Sequence, residues 1–300
     1  MNRGRVTARV NGGLGNQLFQ YASARALALR NDVPLTIDHL TGFPRDFYKR
    51  RYMLEHFDVR CELIDRRDSY VSNWGRLKRK IEVRLNQSRP LADRTYLLED
   101  QLAFQPELLE LKVTRPIYLE GYWQHEAYFA DIRDLLCREI TQRTPHDAQN
   151  LEFAGRISAQ RTPVCLHVRR MHGVANTKDA KPLATVSDWH HVDPSYFQRA
   201  VDVMSERVSN PYFFVFADYP DWAREHVRPA HPHEYVTHNG ADRDYEDFFL
   251  MRQCRHFIIA NSTFSWWAAW LGGQPDKVVI APKEAIGKMI QGVPDSWLLV

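Results

Sequence analysis

In the second half of the chain, apolar residues gather into short continuous runs at residues 163–168, 212–217, 257–260 and 277–281, rich in Val, Ile and Phe. Runs of that length and make-up predict strands buried on both faces. Between them, residues 194–208, 221–227, 245–254 and 263–271 carry apolar side chains at helical spacing, and residues 234–237 predict one more strand. Such alternation predicts a parallel sheet covered by helices on both sides, with ligands bound beyond the carboxyl ends of its strands. The first half opens alike: a strand at residues 6–10, the turn Gly12-Gly13-Leu14-Gly15, a helix at 17–29 and a strand at 35–38. Regularity then fades through an Arg- and Tyr-rich stretch to about Pro90. It resumes with a strand at 117–120 and a helical pattern over 126–143 through Tyr128, Ile132, Leu135, Leu136 and Ile140.

Three hundred residues exceed what one hydrophobic core usually serves. The polar stretch 143–161 therefore predicts a junction, giving domains at residues 1–155 and 156–300 with a cleft between them. No apolar run reaches the roughly 18 residues of a membrane span or the pattern of a signal peptide, so a cytoplasmic protein is expected. The four cysteines are scattered without CxxC spacing, as free thiols in a reducing compartment would be. A net charge of +3 does not call for nucleic acid, although arginine outnumbers lysine 31 to 9. The basic run Arg76, Lys78, Arg79, Lys80 and Arg84 fits the solvated or anionic-lipid-facing side of a helix better than an oligonucleotide site.

Chemistry concentrates at the predicted strand ends. His167-Val168-Arg169-Arg170 puts an imidazole and two guanidiniums after a buried strand. Arginine's planar fork suits a phosphate, and a structural ion pair with a carboxylate competes with that reading. Asp218 ends the next strand, where it either accepts from the N1 and N2 edge of guanine or caps the following helix. Asn261-Ser262-Thr263-Phe264-Ser265 opens a helix with small hydroxyl residues, a favourable place for an anion. The tryptophans behind it, Trp266, Trp267 and Trp270, read as core packing. Near the start, Gly13, Gly15, Asn16 and Gln17 offer close backbone approach and two amides, in neither a GxGxxG nor a Walker spacing. Neither the acidic run Asp242, Asp244, Glu246, Asp247 nor the thirteen histidines show metal-ligand spacing, so no metal is expected.

Read together, these strings resemble the inverting α-1,2-fucosyltransferases. The matching residues are the stretch 12–22 (GGLGNQLFQYA), Gly121-Tyr122-Trp123-Gln124, His167-Val168-Arg169-Arg170, Phe216-Ala217-Asp218, Asp247-Phe248-Phe249-Leu250-Met251, 258–271 and 278–283. The resemblance implies a GT-B-like α/β fold of two Rossmann-like domains with a central cleft, an acceptor-side N-terminal domain and a C-terminal domain that binds the GDP-sugar. It implies transfer of L-fucose from GDP-fucose, with inversion and without a metal or other cofactor, to a sugar hydroxyl, galactose first, of a glycan or lipid-linked oligosaccharide. By the same resemblance Arg169 contacts the β-phosphate, with Arg170 beside it. His167 and Asp218 recognise guanine, residues 261–265 line the diphosphate, and Asn16 and Gln17 face the fucose or the acceptor. A bacterial enzyme at the cytoplasmic side, with peripheral attachment to the inner face of the plasma membrane as an option, fits the lack of an anchor.

The chain departs from that pattern at Met171-His172, where relatives usually end the motif in an acid. Either His172 serves as the base, or a nearby acid such as Asp179, Asp188 or Asp193 does, or a dissociative, oxocarbenium-like displacement needs little base. The departure also keeps open another GDP-sugar or linkage, or a glycan- or nucleotide-binding protein without catalysis.

Overall fold

The computed structural model describes residues 4–101, 103–172, 181–182, 192–240, 242–285 and 292–300. The chain divides into two compact units, Met1–Arg143 and Thr144–Val300.

The first unit holds β1 (Arg5–Arg9), α1 (Leu14–Arg30), β2 (Leu35–Asp38), β3 (Glu62–Leu63), α2 (Asn73–Gln87), β4 (Tyr96–Leu98), β5 (Pro116–Glu120) and α3 (Arg133–Glu139). Its strands form one parallel sheet in the order β3-β2-β1-β5-β4. The turn into α1 needs its glycine: Gly12 has φ +76°, and a Cβ there would meet the Asn16 amide at 2.7 Å. At the other end Asp32, at φ 49°, takes the chain out of the helix. Asn31 fixes that exit by donating to Leu27 O and Leu111 O (each 3.0 Å) and accepting from Val113 N (2.9 Å). The helix expected over 126–143 is broken into two short 3₁₀ turns followed by α3. Arg30 takes the Tyr128 carbonyl at 2.9 Å, a group a continuous helix would use for itself.

The second unit holds α4 (Ala148–Ala159), β6 (Pro163–Val168), β7 (Met171–His172), β8 (Lys181–Pro182), α5 (Pro194–Arg207), β9 (Tyr212–Ala217), α6 (Pro220–His226), β10 (His233–Val236), α7 (Asp244–Arg252), β11 (His256–Ile258), α8 (Thr263–Leu271), β12 (Val279–Ala281) and β13 (Leu298–Leu299). Its main sheet is parallel in the order β10-β9-β6-β11-β12-β13, and β7 and β8 form a separate antiparallel pair. In order of appearance this is 3-2-1-4-5-6, the Rossmann arrangement, with the reversal between β6 and β11. Alternate residues of the central strand serve opposite faces. Val164, Leu166 and Val168 pack with Tyr196, Phe197, Val201 and Met204 of α5. His167 points instead toward Phe264 of α8.

Helix α8 is apolar all round because it is enclosed: Trp266 and Trp267 have no exposed surface and Trp270 is 4% exposed. Trp266 stacks on Trp270 and lies against Trp267 and Trp297, with its indole N–H donating to Gly292 O at 3.0 Å. The tryptophans are core, as their spacing predicts. Trp266→Ala is expected to cost about 3–5 kcal/mol of unfolding free energy, read as a lower urea midpoint. A loss below about 1 kcal/mol would mean that the site closes over the cavity.

Candidate functional site

In the second unit the candidates converge on the sheet's reversal point. Residues pair across β6 and β9 as His167↔Phe216 and Val168↔Ala217, so the next register positions are Arg169 and Asp218. Their side chains form an ion pair at 3.1 Å, with Asp218 nearly enclosed and Arg169 still 30% exposed. The other carboxylate oxygen of Asp218 accepts from the Arg170 backbone N–H at 2.8 Å. Asp218 therefore holds the chain after β6 by two points. It is not the cap of α6, which has no side-chain cap.

Arg169 and Arg170 diverge. The Arg170 guanidinium is buried over the Trp222 ring, 4.1 Å from its centroid, and reaches the Val192 carbonyl at 3.4 Å. Burial pushes its pKa down, against the pull of Asp218 and Asp193. Arg170 thus braces the strand end against α6, while the Arg169 side chain stays 30% exposed.

His167 lies one position inward, 5% exposed. Burial first, then the Arg169 charge, pushes its pKa down to about 3, so it is a neutral imidazole. Its Nδ1 is enclosed and has no hydrogen-bond partner among the described residues. Across the reversal point, Asn261 follows β11 with both amide atoms in the same condition. Buried polar groups are seldom left so, since each costs about 1–3 kcal/mol. Two of them at adjacent strand ends mark a place built to receive polar atoms from outside.

Helix α8 begins there. Ser262 occupies the N-cap without a side-chain cap bond, and Ser265 turns back to Ser262 O at 3.3 Å. Thr263 and Phe264 are partly exposed, and Phe264 lies between His167 and Phe248, with ring centroids 5.8 and 5.6 Å away. A neutral acceptor or donor, an amide, a helix amino end and one guanidinium together suit a polar ligand carrying a diphosphate-like anion.

Beside this lies a polar network that the sequence motifs did not reveal. Glu246, with no exposed surface, meets His146 Nδ1 at 2.7 Å, and the His146 ring stacks on Phe249 at 3.6 Å. Asn239 donates to Asp247 at 2.8 Å and exchanges amide bonds with Asn150. Burial lifts the Asp247 carboxyl to about 7, while the Asn239 bond acts the other way. The acidic run alone does not reveal this network, because His146 and Asn150 lie about a hundred residues away in sequence.

In the first unit the motif residues gather at the carboxyl ends of β1 and β5, which are neighbours in the sheet. Gln124 donates to Asn16 Oδ1 at 3.0 Å, bringing together the loops after these two strands. Gln20 ties Asn11 to Gly121, with bonds of 2.5 Å to Asn11 Oδ1 and 3.1 Å to Gly121 O. Glu99 accepts from Tyr122 N and Trp123 N, and burial raises its pKa. Gln17 behaves otherwise: its amide donates to Gly12 O and Arg51 O and accepts from Met53 N, all at 2.8–2.9 Å, so it shapes the loop from within. Gly13 has open space about its Cα, whereas Gly15 is buried in α1.

Of the candidate bases, Asp193 caps α5 by accepting from Ser195 N at 2.8 Å, and the Ser195 hydroxyl, then this backbone bond, keep its carboxyl below the usual range. Met171 and His172 belong to β7, but their side chains lie outside the described residues, as do Asp179 and Asp188. Among the described residues, no group of three or more His, Cys, Asp or Glu is placed to hold a metal. Among them, too, no helix is long and apolar enough to cross a membrane.

Two α/β units, each built on one parallel sheet, place the chain in the GT-B class of fold. The chain belongs to glycosyl transferase family 11, whose model matches residues 100–289. It is 28% identical to the O-antigen biosynthesis glycosyltransferase WbnK of Escherichia coli, over 96% of this chain and 98% of that one. It is also 28% identical to an Escherichia coli alpha-1,2-colitosyltransferase, over 92% and 91%. Galactoside alpha-(1,2)-fucosyltransferase 1 of Rattus norvegicus is 27% identical over 90% of this chain, which spans 64% of that relative. The fold is similar to that of fucosyltransferase NodZ from Bradyrhizobium, with a TM-score of 0.53, 16% identity and coverage of 91% and 93%.

The neutrality of His167 has a measurable consequence. A histidine whose folded pKa is depressed supplies stability that is complete above its unfolded value of about 6.5 and is lost as pH falls through that value toward 3. Between pH 7 and pH 5 the wild type should lose about 2 kcal/mol from this group. His167→Gln should flatten that part of the chemical-denaturation profile. An equal slope in both proteins would show that folding does not depress the His167 pKa.

Proposed function

We propose that this glycosyltransferase is an α-1,2-fucosyltransferase that transfers L-fucose from GDP-fucose, with inversion, to a galactose hydroxyl of a glycan or lipid-linked oligosaccharide. The observation that carries the reading is the convergence of the Arg169–Asp218 pair with the unsatisfied His167 Nδ1 and Asn261 amide at the reversal point of the second sheet. The α-1,2 linkage follows both the colitosyltransferase and the rat fucosyltransferase, and fucose follows the latter.

In this reading the acceptor hydroxyl attacks the anomeric carbon from the face opposite the nucleotide, and the bond from that carbon to the β-phosphate oxygen breaks. Arg169 and the amino end of α8, with residues 261–265, offset the charge that develops on departing GDP. His167 supplies a neutral ring nitrogen to guanine. Asp218 serves chiefly to aim Arg169, because both its oxygens are engaged. Arg170 supports the site from behind, and Asn16, with Gln124, faces the sugar side of the first unit. His172 takes the acceptor proton. No metal is assigned, which leaves Arg169 as the main counter-charge.

Arg169→Ala should lower turnover of GDP-fucose by roughly 10²–10³-fold, measured as GDP release with a β-galactoside acceptor. Activity within a few-fold of wild type would remove Arg169 from the phosphate. Asp218→Asn keeps the shape but loosens the pair, so it should show a smaller defect of the same kind in kcat. A panel of GDP-fucose, GDP-mannose, UDP-galactose and a colitosyl donor, with NMR of the product linkage, tests the sugar. The second reading, another donor sugar on the same site, is favoured by the colitosyltransferase, which is as similar as WbnK.

A further inference from the structure

Helix α2 is built inside out. Its inner face is polar: Arg79 donates to Tyr96 and Glu120, and the Asn86 Oδ1 accepts from Thr95 N and Tyr96 N at 2.7 and 3.2 Å. Gly75 lets that face press on the Tyr70 backbone, where a Cβ would meet Cα at 2.9 Å. Val83 is the apolar member of this side and packs on the Tyr70, Tyr96 and Tyr118 cluster.

The opposite face carries Trp74, Leu77, Ile81 and Leu85, which are 75%, 48%, 51% and 55% exposed. At 100° per residue these four fall within an arc of about 80°, a continuous stripe along a helix roughly 22 Å long. They are four of the ten large apolar side chains that are exposed among the described residues, so the concentration is not the ordinary scatter of surface leucines. By the same spacing, Lys80 and Arg84 border the stripe on one side and Lys78 on the other. The helix holds five basic residues against the single acid Glu82, which is itself taken up by Tyr70 and Lys78.

We propose that α2 docks this protein onto a lipid surface rich in anionic phospholipid, with the stripe entering the interface and Lys78, Lys80 and Arg84 meeting headgroup phosphates. An apolar stripe bordered by cations matches an interface that is greasy within and negative at its rim. Trp74 at one end fits the boundary layer, where indole's apolar body and polar N–H are both satisfied. Pairing with a second copy of α2 would set these lysines and arginine against their own equivalents, which opposes self-association. The proposal does not depend on the donor or acceptor assigned above.

Co-flotation of the full chain with vesicles tests it, using phosphatidylethanolamine with phosphatidylglycerol against phosphatidylcholine alone. The protein should float with the anionic vesicles, less so as salt rises, and not with the neutral ones. Lys80→Glu with Arg84→Glu should weaken partitioning about 25-fold or more, and Leu77→Gln with Ile81→Gln at least tenfold, with unchanged thermal melts. Failure to float with anionic vesicles, or flotation indifferent to both pairs of changes, overturns the proposal. So does a dimer in sedimentation equilibrium that Leu77→Gln with Ile81→Gln dissolves, which would assign the stripe to a second copy.

Discussion

The ion pair between Arg169 and Asp218 depends on register. Two parallel strands, β6 and β9, run side by side for six residues and end together, so the side chains one step beyond them are opposed. A slip of one residue would turn Arg169 toward the α5 face and pair Arg170 with Asp218. The phenylalanine-rich β9 and the Val164, Leu166, Val168 face of β6 prevent that slip, because it would carry His167 and its charge-bearing neighbour into the apolar cluster. The position of one guanidinium is therefore secured by the packing of a whole layer. Asp218 adds the last restraint by also accepting the Arg170 N–H, which fixes the chain as it leaves the strand.

Much of this was readable from residue order. Buried strands of the second unit announce themselves as apolar runs, and β6 at Pro163–Val168 and β9 at Tyr212–Ala217 coincide with the predicted stretches. Strand ends then single out His167, Arg169, Asp218 and Asn261 without further help. The division of labour between the two arginines was not readable. Adjacent residues at a strand end face opposite ways, but only the presence of Trp222, fifty-two positions later, makes one of those ways a stacking site for Arg170. Of the two readings of Arg169, the ion pair is present in the contact with Asp218, and the side chain stays 30% exposed beside it.

The first unit was harder to read for a physical reason. Its edge strands β3 and β4 are two and three residues long, too short to show a period, and α2 hides because its pattern is reversed. A helix is found by expecting apolar residues on the packed side; α2 puts Arg79 and Asn86 there. Likewise Gln17 looked like a ligand-facing amide because it follows a glycine turn. Its position in the first turn of α1 instead directs it to the Arg51 and Met53 backbone, a contact that sequence distance conceals.

The two units apply one rule to different ends. Motif residues gather at one pair of neighbouring strand ends in each sheet, β1 and β5 in the first and β6 and β11 in the second, and only the second pair is a reversal of strand order. In the first unit the amides there satisfy one another, Asn11 with Gln20 and Asn16 with Gln124. In the second, His167 Nδ1 and the Asn261 amide have no such partners among the described residues, and the Arg169–Asp218 pair lies beside them. Leaving those atoms unpaired lowers the stability of the empty protein, and the cost is recovered only when a ligand supplies the missing partners. The same geometry that makes the first site rigid makes the second one receptive. That difference is what the proposed placing of the nucleotide on the second unit rests on.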